Sequence, residues 1–194
     1  QQAETDANSA FFLFAFIVGI FLMSILLMVQ LNSFYQVFII VAAVLLSTAG
    51  VQLGLLVTQQ ISSALFTSLG VIALAGIVVN NNIVLVDTYN VISKENPNLS
   101  RDQIIVRTAA QRLRPIILTT ATTVIGLLPL ASGIGVDFYQ RNIEIGGRVS
   151  EWWQPMSFAV VCGLTFASAI TLFLTPCWLM LPVAIKNTFN NLRN

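Results

Sequence analysis

The sequence predicts an all-α fold: a polytopic membrane bundle of five transmembrane helices, with one short amphipathic helix on the cytoplasmic surface. Three observations carry this expectation. Of 194 residues, 56% are hydrophobic and only 9% are charged, against about 25% charged in a typical soluble domain. The apolar residues fall into five runs, each long enough to cross a hydrocarbon core of about 30 Å, which takes about 20 helical residues. Apart from Asp87, the charged residues lie outside these runs. With a net charge of +1 and no single basic patch, nothing in the chain favours a nucleic-acid partner.

The first span is expected from Ala10 to Val29, and a polar link, Gln30 to Ser33, leads into the second, from Phe34 to Val57. Thr58-Gln59-Gln60 marks a turn, and the third span runs from Ser63 to Tyr89. The fourth extends from Pro115 to Gly133 and the fifth from Pro155 to Pro182. The whole of 1–194 reads as one membrane domain. The polar start, Gln1 to Ser9, has neither an initiator Met nor a signal-peptide pattern, so the chain is expected to be a piece of a larger protein, beginning between two spans.

Orientation follows from the basic residues. Lys94, Arg101, Arg107, Arg112 and Arg114 lie between the third and fourth spans, and Lys186 and Arg193 follow the fifth. The positive-inside rule places both regions, and so the C-terminus, in the cytoplasm. In the first of these regions Ser100-Arg101-Asp102-Gln103 matches a capping box, and Ile104, Ile105 and Ala109 recur near helical spacing. A surface helix over 100–113 is expected, stopping as Pro115 turns the chain into the fourth span. On the other side Phe138, Tyr139, Trp152 and Trp153 form an interfacial aromatic belt, and Gly133 to Arg148 reads as a surface loop.

The polar run Asn80-Asn81-Asn82, inside the third span, is the strongest functional signal. Polar groups are costly in hydrocarbon, so a membrane helix carrying several is a site hypothesis by default. The third and fourth spans are antiparallel. Asn80 lies seven residues from Asp87, and Thr119 seven from Arg112; each step is about 10 Å along a helix. If the two helices are neighbours, Asn80 and Thr119 share one depth and Asp87 and Arg112 a shallower one. Thr123 and Gly126 extend the Thr119 face, and Gly76 lies one turn from Asn80, so these three are the expected helix-packing positions. One reading is a polar track that relays protons or ions through Asn80, Asn81, Thr119, Arg112 and Asp87. The bland reading is that Asn and Thr glue helices together while Asp87 and Arg112 anchor helix ends. Asn82, Thr120 and Thr122 point to other faces and are read as glue. There is no His, and Cys162 and Cys177 lie about 22 Å apart along one helix, so no metal site, cofactor, disulfide or catalytic constellation is expected.

Several motifs resemble the resistance–nodulation–division exporters: Gly76 through Asp87, then Arg112-Leu113-Arg114-Pro115 to Thr119-Thr120, Gly126-Leu127-Leu128-Pro129, and Gly163 through Leu174-Thr175-Pro176. Leu31-Asn32-Ser33-Phe34 is similar to the family's loop after its eighth span. The resemblance implies the C-terminal bundle, spans eight to twelve, of a proton-motive-force-driven inner-membrane efflux permease that is not an enzyme. Its implied partners are the missing N-terminal half and periplasmic domains, the lipid bilayer, and a homotrimeric assembly with an adaptor and an outer-membrane channel. Arg112 and Thr119 match the family's coupling positions, while Asn80 stands where the family carries Lys. The alternative is a non-transporting, lipid- or sterol-sensing or assembly module of related fold.

Overall fold

The computed structural model describes residues 2–59, 63–137 and 142–193. Five long helices follow one another: α1 (Gln2–Leu31), α2 (Phe34–Thr58), α3 (Ala64–Glu95), α4 (Arg101–Ala131) and α5 (Arg148–Arg193). All five are long and apolar enough to cross a membrane. In hydrocarbon a chain must satisfy its backbone internally, which is why each apolar run becomes an uninterrupted helix.

Local chemistry sets the breaks. Asn32 takes φ 48, the left-handed cap that closes α1, and its N–H bonds Met28 O at 3.0 Å. Asn96 precedes Pro97 and leaves helical geometry, ending α3. The capping box at Ser100 forms as expected, each of Ser100 and Gln103 accepting from the other's backbone N–H.

Two expectations are corrected. The surface helix is not a separate element, because α4 runs unbroken from Arg101 through Pro115 to Ala131. A proline forfeits one backbone hydrogen bond, and neighbouring helices can compensate for that loss in a membrane bundle. The segment read as a surface loop contains an antiparallel hairpin, β1 (Ile134–Asp137) against β2 (Asn142–Ile145), in register from Ile134↔Ile145 to Asp137↔Asn142. Its ends are pinned by Gly133 and Gly146, at φ 78 and 83, with Gly146 N–H bonded to Gly133 O at 2.9 Å. Short alternating apolar positions on either side of a charged centre carried that signal. Phe138 and Tyr139 of the expected belt lie outside the described residues. Trp152 and Trp153 are exposed and pack on Phe66, ring centroids 6.2 and 5.9 Å apart.

Helix α5 is the common partner, packing against α2, α3 and α4. Glycines bring the backbones together. On α2, Gly50 and Gly54 form a G-x-x-x-G step; a Cβ on Gly50 would sit 2.5 Å from Phe166 Cβ, and one on Gly54 2.5 Å from Cys162 Cβ. Gly70 of α3 similarly abuts the backbone oxygen of Met156, and Gly163 of α5 lies against Leu74 and Val51. Dispersion contact between closely approaching helices replaces a hydrophobic driving force that lipid cannot supply. The main core joins Leu27, Ile40, Val44 and Val51 to Leu74, Val78, Val86 and Leu164. A second cluster, Ile39, Leu85, Ile105, Ile116 and Leu179, closes the end of the bundle where the basic residues of α3 and α4 lie. At that end Gln36 and Asn90 exchange paired amide hydrogen bonds of 2.7 and 3.1 Å between α2 and α3.

Candidate functional site

Helix α3 divides its polar run between two faces. Val78, Val79, Asn82, Leu85 and Val86 are buried, whereas Gly76, Asn80, Val84, Asp87 and Val91 are exposed at steps of three and four residues. Three consecutive carboxamides therefore meet three environments: Asn80 is exposed, Asn81 half-buried and Asn82 fully buried.

Asn82 is the best-satisfied of them. Its Nδ2 donates to Val78 O at 2.9 Å and to Thr171 Oγ1 at 3.1 Å, and its Oδ1 accepts from Thr175 Oγ1 at 3.0 Å. Thr171 and Thr175 are 2% and 1% exposed, so this is a dry, cross-linked contact between α3 and α5. A few residues along α5, Ser168 shares a hydroxyl–hydroxyl bond of 2.7 Å with Thr120 of α4. Ser168, Thr171 and Thr175 thus form one polar stripe that serves both flanking helices. Asn82 and Thr120 do face away from Asn80, and α5 is what they face. The stripe was visible in the sequence as i, i+3, i+7 spacing, but it lies on α5, outside the polar runs of α3 and α4.

Of the expected pairs, Asp87 and Arg112 line one cleft, and Asn80 and Thr119 are not joined by a hydrogen bond. The cleft, about 260 Å³, lies between the end of α3 and the start of α4 and is also lined by Thr88, Glu95 and Arg107. Arg112 donates its Nε hydrogen to Thr88 Oγ1, and Thr88 donates to Val84 O at 2.7 Å. No ion pair joins Arg112 to Asp87 among the described residues. Asn80 and Thr119 are both exposed and share no hydrogen bond; Thr119 Oγ1 bonds its own helix at Ile116 O, 3.0 Å away, and Thr123 Oγ1 bonds Thr119 O at 2.8 Å.

The expected packing positions on this face are glycines with open space beside them among the described residues, and a threonine. A Cβ on Gly76 or Gly126 would meet nothing within 4 Å, and Thr123 Oγ1 bonds within its own helix. The close approaches fall on Gly50, Gly54, Gly70 and Gly163 instead, because α5 rather than α4 is the helix packed closest along α3. What remains is a continuous outward face, Gly76, Asn80 and Asp87 on α3 and Thr119, Thr123 and Gly126 on α4. Among the described residues no three His, Cys, Asp or Glu side chains converge as metal ligands.

Comparison with known proteins gives concordant matches. A family model described as the AcrB/AcrD/AcrF family matches residues 1–182. Multidrug resistance protein MdtC of Citrobacter koseri is 29% identical over 151 residues, covering 76% of this chain. MdtC of Yersinia pseudotuberculosis is 27% identical over 165 residues, covering 84% of it. The X-ray crystal structure of a heavy metal efflux pump superposes with a TM-score of 0.66 and 29% identity over 84% of this chain and 15% of that one. The chain spans only 13% and 15% of the length of the two MdtC relatives.

Proposed function

We propose a coupling role for this chain, which belongs to the AcrB/AcrD/AcrF family of resistance–nodulation–division transporters: it supplies one half of the membrane bundle through which an ion gradient drives export. The observation that carries the reading is the outward polar face. Asn80 and Asp87 lie in or at the end of an apolar span, exposed, with no hydrogen-bond partner among the described residues. Lipid offers such groups nothing, so polar side chains in membrane spans turn toward a bundle interior or a wet cavity. The face is therefore a half-site whose complement belongs to the remainder of a much longer polypeptide.

In this reading Asn80, Asn81 and Thr119 line the deeper part of a proton or ion path, and Asp87 and Arg112 its cytoplasmic mouth. Gly76, Thr123 and Gly126 let a further helix approach. Asn80 is neutral where the resembling exporters carry Lys, so the cation of this reading is Arg112. The names of the relatives, multidrug resistance and heavy metal efflux, support outward transport as the activity of the whole protein. The inner membrane is its site, with the C-terminus in the cytoplasm and adaptor and outer-membrane channel proteins as partners.

The test is transport by the intact protein carrying Thr119→Ala or Arg112→Ala. Both variants should insert normally and lose most of their transport. Wild-type rates from correctly inserted variants would remove these residues from the path.

A further inference from the structure

The hydroxyl groups of α5 divide by position along the helix. Ser157 and Thr165 bond carbonyls of their own helix, at Trp153 O and Val161 O. Ser168, Thr171 and Thr175 reach other helices. The buried face of α5 is apolar before this stretch, at Ala159, Val160 and Leu164, and apolar after it, at Leu179. Hydroxyls thus replace hydrocarbon on that face over the turns that meet Thr120 and Asn82. Ser168 gives its own hydrogen to Leu164 O at 2.7 Å, so Thr120 is the donor in the bond between the two hydroxyls. Both partners stand beside residues of the proposed path: Asn82 follows Asn80 and Asn81, and Thr120 follows Thr119. A helix turns as a body, so what fixes Asn82 fixes the bearing of Asn80, and what fixes Thr120 fixes that of Thr119. A turn of about 20° moves a group about 5 Å from the helix axis by about 2 Å, which a hydrogen bond of about 3 Å does not survive. Arg112 bonds Thr88 near the end of α3, but deeper in the span no hydrogen bond among the described residues joins α3 to α4 directly. Their mutual orientation at that depth passes through α5.

We propose that Ser168, Thr171 and Thr175 are positioning residues for coupling. Through Thr120 and Asn82 they lock α4 and α3 to one common helix, so that Thr119 and Asn80 are presented to the path as a single unit. All three hydroxyl residues are buried, so they act through these partners and not on the path itself. The proposal rests on the coupling role given to this chain above. It differs from helix glue in how the bonds combine. Glue strengthens a bundle by a sum of separate bonds. A shared bearing fails as soon as either bond is lost, because α3 and α4 then turn independently.

The test uses the intact transporter in liposomes under an imposed proton gradient, with transport counted per folded, inserted molecule. Thr175→Val removes the donor to Asn82 Oδ1, and Ser168→Ala removes the acceptor of Thr120. Each should lower kcat several-fold while leaving the KM for the exported substrate unchanged. Thr175→Ser, which keeps the hydroxyl, should restore the wild-type kcat. The double variant should be no slower than the slower single one, whereas its loss of thermal stability should be the sum of the two single losses, since the two bonds share no partner. If Thr175→Val does not insert, Thr171→Val, which removes only an acceptor of Asn82, takes its place. A wild-type kcat per folded molecule in the single variants, or a kcat in Thr175→Ser as low as in Thr175→Val, would overturn the proposal. Thr119→Ala and Arg112→Ala, measured alongside, tell the two failures apart. If they lose transport while the hydroxyl variants keep it, the positioning role alone falls; if they keep it as well, the coupling role falls and the positioning role with it.

Discussion

Thr175 of α5 donates its hydroxyl hydrogen to Oδ1 of Asn82 at 3.0 Å, and the same amide donates to Thr171 one turn away at 3.1 Å. A single buried carboxamide thereby ties α3 to two successive turns of α5. Among the described residues its neighbours Asn80 and Asn81 have no such anchor, and the rotation of α3 that presents Asn80 outward is the rotation that Asn82 holds.

Asn82→Ala should therefore destabilise the folded protein by about 1–2 kcal/mol, the scale of one buried hydrogen-bonding side chain in a membrane bundle. Thermal unfolding in detergent measures it. A double-mutant cycle with Thr175→Val should return a coupling of about 0.6–1.7 kcal/mol. Additive effects would mean that the bond does not hold the helices together.

Asn80→Ala should do the opposite. The side chain is exposed and has no hydrogen bond within the described residues, so stability should change by no more than about 0.5 kcal/mol. Proton-driven uptake into liposomes by the intact protein should nevertheless fall. Unchanged coupling would remove Asn80 from the path while leaving the fold assignment untouched.

Glycine substitutions separate packing made inside this chain from packing made outside it. Gly50→Ala puts a methyl 2.5 Å from Phe166 Cβ and should cost about 1–3 kcal/mol, the usual penalty for overpacking. Gly126→Ala meets nothing within 4 Å and by helix propensity should be neutral or stabilising by up to about 1 kcal/mol. If Gly126→Ala proves destabilising in the intact transporter, another part of that protein packs there.

Topology has its own test. With Cys162 and Cys177 replaced by Ala, a single cysteine at Asn98 should react with a membrane-impermeant maleimide only after cells are opened. One at Ser132 should react in intact cells whose outer membrane is permeabilised. The reverse pattern would invert the orientation drawn from Lys94, Arg101, Arg107, Arg112 and Arg114.

Much of the architecture was legible because hydropathy reports a segment's solvent directly. Five apolar runs became five helices, and Ser100 with Gln103 formed the box that their spacing announced. Adjacency was the harder part. Matching Asn80 to Thr119 by depth used only the rise of a helix, which says how far along two residues lie and nothing about which helices touch. That choice was made by small residues facing α5, at Gly50, Gly54, Gly70 and Gly163, and by a hydroxyl stripe whose three members are scattered over eight residues of an apolar run. Pro115 misled for a related reason: a proline that ends a helix in water need not end one in lipid.

Helix α5 is also the last of the five to leave the ribosome. Until it enters the bilayer, Asn82 lacks two of its three hydrogen bonds and Thr120 lacks Ser168. Gly50, Gly54 and Gly70 meanwhile lack the α5 residues Phe166, Cys162 and Met156 that pack against them. The packing of the first four spans is thus incomplete until α5 arrives, and a chain truncated ahead of Ser168 leaves Asn82 with its bond to Val78 O alone and its carbonyl oxygen without the Thr175 donor.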